Sequence, residues 1–77
     1  MPKHVEIFRS QENSDGVWRG YGKAVFKGSK GDAQQWVYEN AQDHRWPNDG
    51  IEIVLVTTKK GFEVKRELLK NISDLSA

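Results

Sequence analysis

The chain contains no cysteine, which excludes disulfides, a thiol nucleophile and a thiolate metal site. Proline occurs twice and methionine once. Neither sign of charge predominates: 12 Lys and Arg stand against 11 Asp and Glu, for a net charge of +1. The balance is also local, with seven basic and six acidic residues in 1–45 and five of each in 46–77. There is neither an acidic tail nor a basic arm. The pI of about 8.0 lies below the ~9 usual for dedicated non-specific nucleic-acid binders. The longest apolar run, Ile53 to Val56, is far short of the ~20 residues of a membrane helix. Met1-Pro2-Lys3-His4 leads straight into a strand-like segment without an apolar signal region. No repeat, low-complexity stretch or linker interrupts the chain. The expectation is a soluble, cytoplasmic protein with one small domain spanning residues 1–77.

What is present suffices for a thin core. Eighteen of the 77 residues are Leu, Ile, Val or Phe, above the ~20% typical of disorder. A domain of this size buries only about 60% of its unfolded surface. Lys3 to Arg9 alternates, with Val5 and Ile7 on one face, and reads as a first strand. Ser10 to Gly16 is a polar loop ending in Asp15-Gly16, a dipeptide that supplies the positive φ of a hairpin. In Val17 to Lys27 the even positions are Trp18, Gly20, Gly22, Ala24 and Phe26. The odd ones mix apolar and basic residues, so strict alternation makes one face small-residued and the other basic.

Ser29-Lys30-Gly31-Asp32 has the form of a capping box and opens a helix expected over Lys30 to Arg45. Its apolar stripe is Ala33, Trp36, Val37 and Ala41. His44 and Arg45 complement the dipole in the last turn, and Pro47 with Asn48-Asp49-Gly50 ends it. The Trp36 ring is expected to fill the space over Gly20 and Gly22. Ile51 to Thr57 is β-branched on both faces near its centre, as an interior strand is. Lys59-Lys60-Gly61 forms a hairpin loop and Phe62 to Arg66 a fourth strand. Leu68, Leu69, Ile72 and Leu75 then fall at helical spacing, so the tail from about Glu67 reads as a short amphipathic helix, with a frayed extension of the fourth strand as the alternative. The fold class is therefore α+β: a ββαββ, mostly antiparallel small sheet covered on one face by a single helix, with a short C-terminal helical tail.

Catalysis finds no foothold in this pattern. His4 and His44 lie on different elements, and Asp43-His44 are adjacent on a helix and point about 100° apart. No His, Asp or Glu spacing supplies three or four metal ligands, so neither a catalytic residue, a metal nor a cofactor is expected. Gly20-Tyr21-Gly22 lacks the third glycine of a dinucleotide fingerprint and lies mid-strand. Gly28-Ser29-Lys30-Gly31 opens a helix and offers free N–H groups and Lys30 to an anion, without Walker-type spacing. Its G-x-x-G resembles the clamping loop of KH domains, but those loops join two helices and this one joins a strand to a helix.

Two binding surfaces remain. Tyr38, Trp46 and Leu75 are candidates for contact with a protein, because aromatic side chains dominate interface hot spots and the tail carries an apolar stripe that either binds a partner or docks on the open face of the sheet. On an alternating second strand, Arg19, Lys23 and Lys27 share a face with Tyr21, which together with Lys30 would suit a nucleic-acid backbone and a stacked base. The competing reading of that face is a solvated one, whose Lys and Arg stems shield Val17 and Val25. The layout is similar to that of many short phage and mobile-element accessory proteins, in which a small sheet and one helix present a surface to a host protein. The resemblance implies a non-enzymatic accessory or inhibitor protein whose partner is another protein, or a second copy joined through a sheet edge. Nucleic-acid binding is the alternative. No membrane or small-molecule substrate is indicated.

Overall fold

The structure is a computed structural model that describes residues 2–40, 50–70 and 72–75. Four strands, β1 (Lys3–Glu12), β2 (Trp18–Gly28), β3 (Ile51–Lys59) and β4 (Phe62–Leu69), form one open sheet in the order β2-β1-β3-β4. Every neighbouring pair is antiparallel. Between β2 and β3 stands the helix α1 (Lys30–Asn40), and a 3-10 turn, Ile72–Leu75, follows β4. This is the expected ββαββ order. Both β2 and β3 run antiparallel to β1, so the α1 connection joins two parallel strands with β1 between them and lies across one face.

That face holds the core. Val5, Ile7, Ile51, Ile53 and Leu55 from the sheet meet Ala33 and Val37 from α1 and Leu75 from the 3-10 turn, with Phe26, Trp36 and Leu69 packed against them. The helix starts as its capping box dictates. The Ser29 hydroxyl accepts the Asp32 N–H at 3.1 Å, and the Ser29 carbonyl accepts the Ala33 N–H at 2.9 Å. Of the expected stripe, Ala33 and Val37 are fully buried and Trp36 is half-buried. Ala41, His44, Arg45, Trp46 and Pro47 lie outside the described residues.

Both hairpins are tight. Asn13 closes the first: its backbone N–H donates to the Val17 carbonyl at 2.9 Å, and its side-chain oxygen accepts the N–H groups of Asp15 and Val17. The strands extend nearly to this turn, so β1 runs on to Glu12 rather than stopping at Arg9. In the second hairpin Lys60 and Gly61 both have positive φ, 53° and 83°, the geometry of a type I′ turn that matches the twist of its strands.

Two expectations are corrected. Leu68 and Leu69 do not belong to a helical tail but, as the alternative had it, continue β4, paired with Val54 and Ile53, and so point to opposite faces. Leu69 packs on the core while Leu68 is 62% exposed. Trp36, moreover, does not lie over Gly20 and Gly22. Its ring sits 6.4 Å from that of Phe26 and beneath the Arg9 guanidinium at 5.7 Å. Gly20 belongs to the other face, where a Cβ would come within 2.9 Å of the Glu52 carboxylate and 3.1 Å of Phe8.

Candidate functional site on the uncovered sheet face

The second strand does not alternate throughout. Ile7 pairs with Phe26 and Arg9 with Tyr21, so the single residue Phe8 on β1 is matched by four on β2, Gly22 to Val25. Gly22 takes a φ of 71° within this wide bulge, a conformation that costs glycine little. The odd number of extra residues inverts the phase. Directly paired residues share a face, so Arg19 and Tyr21, opposite Gln11 and Arg9, lie on the helix side. Lys27, opposite Glu6, lies on the uncovered side. The bulge thus separates Arg19 from Lys27, and Lys23 stands within the irregularity. Lys30 is the first residue of α1. Arg19, Tyr21, Lys23 and Lys27, expected to share one face beside Lys30 at the helix start, are not brought to one face.

The candidate protein contacts are also dispersed. Tyr38 is 62% exposed on α1. Leu75 is 2% exposed and packs in the core, because the tail folds back beside α1 on the covered face. It anchors the chain, which corrects the partner-binding reading of the tail, and it docks on the covered rather than the open face of the sheet. Trp46 lies outside the described residues.

The pairing instead assembles a different surface. His4, Glu6 and Phe8 on β1 stand beside Val56, Val54 and Glu52 on β3, and Val56 and Val54 in turn beside Arg66 and Leu68 on β4. Among the described residues no helix covers this side, yet Val54 and Val56 are only 5% and 1% exposed. Part of their cover is an ion-pair bridge. Arg66 reaches from β4 over β3 to β1, its Nη2 donating to Glu6 Oε1 at 2.9 Å, while its Nη1 donates to Glu63 at 2.8 Å. β1 and β4 flank β3 at two strand spacings, or ~9.5 Å, so the guanidinium and its stem lie across the valines, as long basic side chains do over apolar surface. His4 Nε2 donates to the other Glu6 oxygen at 2.8 Å. These bonds hold the Glu6 carboxyl below its ordinary value of 4.5, with the His4 hydrogen bond the largest cause and the Arg66 bond adding to it against the opposing effect of burial.

Beside this bridge the face is open. A groove of about 370 Å³ is lined by Phe8, Gly20, Glu52, Val54, Arg66 and Leu68, with Tyr21 and Gly22 at the end where the bulge begins. Glu52 is fixed at its wall by the Gly20 N–H, which donates to Oε2 at 3.1 Å. The absence of a side chain at Gly20 lets that carboxylate approach the strand. The groove therefore offers apolar walls, one oriented carboxylate, and a guanidinium already engaged by two carboxylates. Three of its residues, Phe8, Glu52 and Val54, are even positions of β1 and β3, whose mixture of apolar and charged side chains was the readable sign of a face neither fully buried nor fully wet.

Among the described residues, no group of three or more His, Cys, Asp or Glu is placed to hold a metal ion, and no helix is long and apolar enough to cross a membrane. In comparisons with protein-family models, curated proteins and solved structures, the chain matches none.

Proposed function

We propose that this chain is a non-enzymatic binding module that receives a segment of a protein partner on the uncovered face of its sheet. The observation that carries this reading is the groove between Phe8, Val54 and Leu68, an apolar recess left open beside well-shielded valines. Recesses with apolar walls and a few fixed polar groups are where ligand segments dock. Leu68 at 62% exposure is the accessible part of its wall. The same charges disfavour a phosphate backbone there: Glu6, Glu52 and Glu63 stand around Arg66, and two of the three already hold it. The nucleic-acid alternative through Arg19, Tyr21, Lys23, Lys27 and Lys30 loses support, because its cations do not share a face.

Two measurements decide between these readings. The first compares proteins captured from the source cell by the native chain and by Leu68→Asp. A partner held by the groove is retained by the native chain and lost by the variant, while capture that ignores the substitution overturns the groove reading. In the second, backbone amide NMR follows addition of a short DNA duplex at low and moderate salt. No shifts are expected. Shifts at Arg19 to Lys30 that vanish as salt rises would establish the nucleic-acid reading instead.

A further inference from the structure

The two edges of the sheet are not equivalent. β2 is broken by its four-residue bulge, and such an irregularity spoils an edge as a template for further pairing. β4 pairs with β3 on one side only. Its ladder is regular from Lys65 to Leu69, and a register shift at Val64 interrupts it. Three of the large apolar side chains exposed on the chain lie on this strand: Phe62 at 76%, Val64 at 55% and Leu68 at 62%. Lys65 and Arg66 would ordinarily guard such an edge. Here both are neutralised within the chain, Lys65 by Glu67 at 3.2 Å and Arg66 by Glu6 and Glu63.

We infer that β4 pairs antiparallel with β4 of a second copy of this chain, about a two-fold axis through Arg66, to give a continuous eight-stranded sheet. The register follows from face and charge. Opposed residues of an antiparallel pair must share a face, and Lys65, Glu67 and Leu69 alternate with Arg66 and Leu68. Only two-fold axes that pass through a residue therefore keep the faces matched. An axis through Lys65 opposes Lys65 to itself and Arg66 to Val64. An axis through Glu67 opposes Glu67 to itself and Arg66 to Leu68. An axis through Arg66 sets each Lys65 against the partner's Glu67 and each Val64 against the partner's Leu68, giving two opposite-charge and two apolar pairs. The two Arg66 side chains that meet on the axis each keep their own Glu6 and Glu63. The ladder spans Val64 to Leu68 and stops where the bulge begins. So short an interface falls under ~1,200 Å², the class of transient association, and the dimer forms and dissociates with concentration. This pairing uses the strand edge and stands whether or not another protein enters the groove.

Sedimentation equilibrium over a range of concentrations tests it. The mass is expected to rise from 8.8 kDa toward twice that value. Lys65→Glu, which opposes carboxylates in both pairs, is expected to weaken association at least tenfold, and the exchange Lys65→Glu with Glu67→Lys to restore it. Both positions are exposed enough for the fold to survive, which far-UV circular dichroism checks. A mixed sample of labelled and unlabelled chains should show contacts between Val64 and Leu68 across the interface. A mass that stays at one chain, an association indifferent to Lys65→Glu, or a charge exchange that fails to restore it overturns the proposal. Because Leu68 lines the groove and also faces the partner's Val64, the association of Leu68→Asp is measured beside its capture: capture lost with association intact assigns the loss to the groove, while the Lys65 variants test the pairing alone.

Discussion

On the covered face, eight buried apolar residues from β1, α1, β3 and the C-terminal 3-10 turn pack against one another; on the other, Val54 and Val56 reach nearly the same burial beneath a single Arg66 that spans β3 to reach Glu6. The first face is shielded by dispersion and exclusion of water, which persist across pH and salt. The second is shielded by charge-assisted hydrogen bonds between partly exposed groups, which weaken with acid and with salt. A sheet of four strands and one helix has too few elements to cover both sides. The chain commits its helix and its tail to one side, and on the other an ion-pair bridge reaches across β3, so the face proposed to bind is the one whose cover is partly electrostatic.

Substitutions should separate the two faces by size of effect. The largest loss is expected at the centre of the covered face, where Ile53→Ala removes a fully buried side chain and should cost about 2–5 kcal/mol in urea unfolding. A loss below 1 kcal/mol would mean that the core reading of this face is wrong. Next comes Ser29→Ala, which strips the cap from α1 and should cost about 1 kcal/mol. Arg66→Gln should cost up to about 1 kcal/mol at neutral pH, the scale of partly exposed ion pairs, and the loss should shrink in high salt. Smallest of all, Leu68→Ser on the open face should change stability by less than about 0.5 kcal/mol; a larger loss would show that the groove is part of the packed structure.

Acid sharpens the same contrast. The folded Glu6 carboxyl is held below its ordinary 4.5, so it binds protons less readily in the folded than in the unfolded chain. Its contribution is complete above the unfolded value and disappears as pH falls through the lower folded one. Glu6→Gln should therefore lower stability at neutral pH and flatten the acid limb of the stability curve. An acid limb as steep as that of the native chain would assign the lability to other carboxylates.

Much of this architecture is legible in the amino-acid order, for identifiable reasons. Val5 and Ile7, the β-branched centre of β3, and Ser29 with Asp32 each carry a local pattern that tertiary packing reinforces. Three features escape it. The bulge at Gly22 to Val25 lies in a stretch whose residues suit either phase, and only pairing with β1 reveals the inversion that divides Arg19 from Lys27. Leu68, Leu69, Ile72 and Leu75 fit a helical period, yet the first two straddle a strand, because two adjacent leucines serve opposite faces of a sheet as readily as one stripe of a helix. The groove joins Phe8, Glu52 and Leu68 from three strands, and strand order is a long-range property. Glu52 and Gly20, 32 positions apart, carry no local sign that they meet.

The wide bulge in β2 bears on how far assembly can proceed. A sheet with two regular edges can add copies at both ends and grow into an open fibre, whereas one with a single regular edge closes after one addition. Removing Lys23, Ala24 and Val25 would equalise the spacing between the pairs Ile7–Phe26 and Arg9–Tyr21 and straighten the second edge. On the proposed pairing through β4, the irregularity that divides the basic residues would also end propagation, and its loss would open a route from a pair to a polymer.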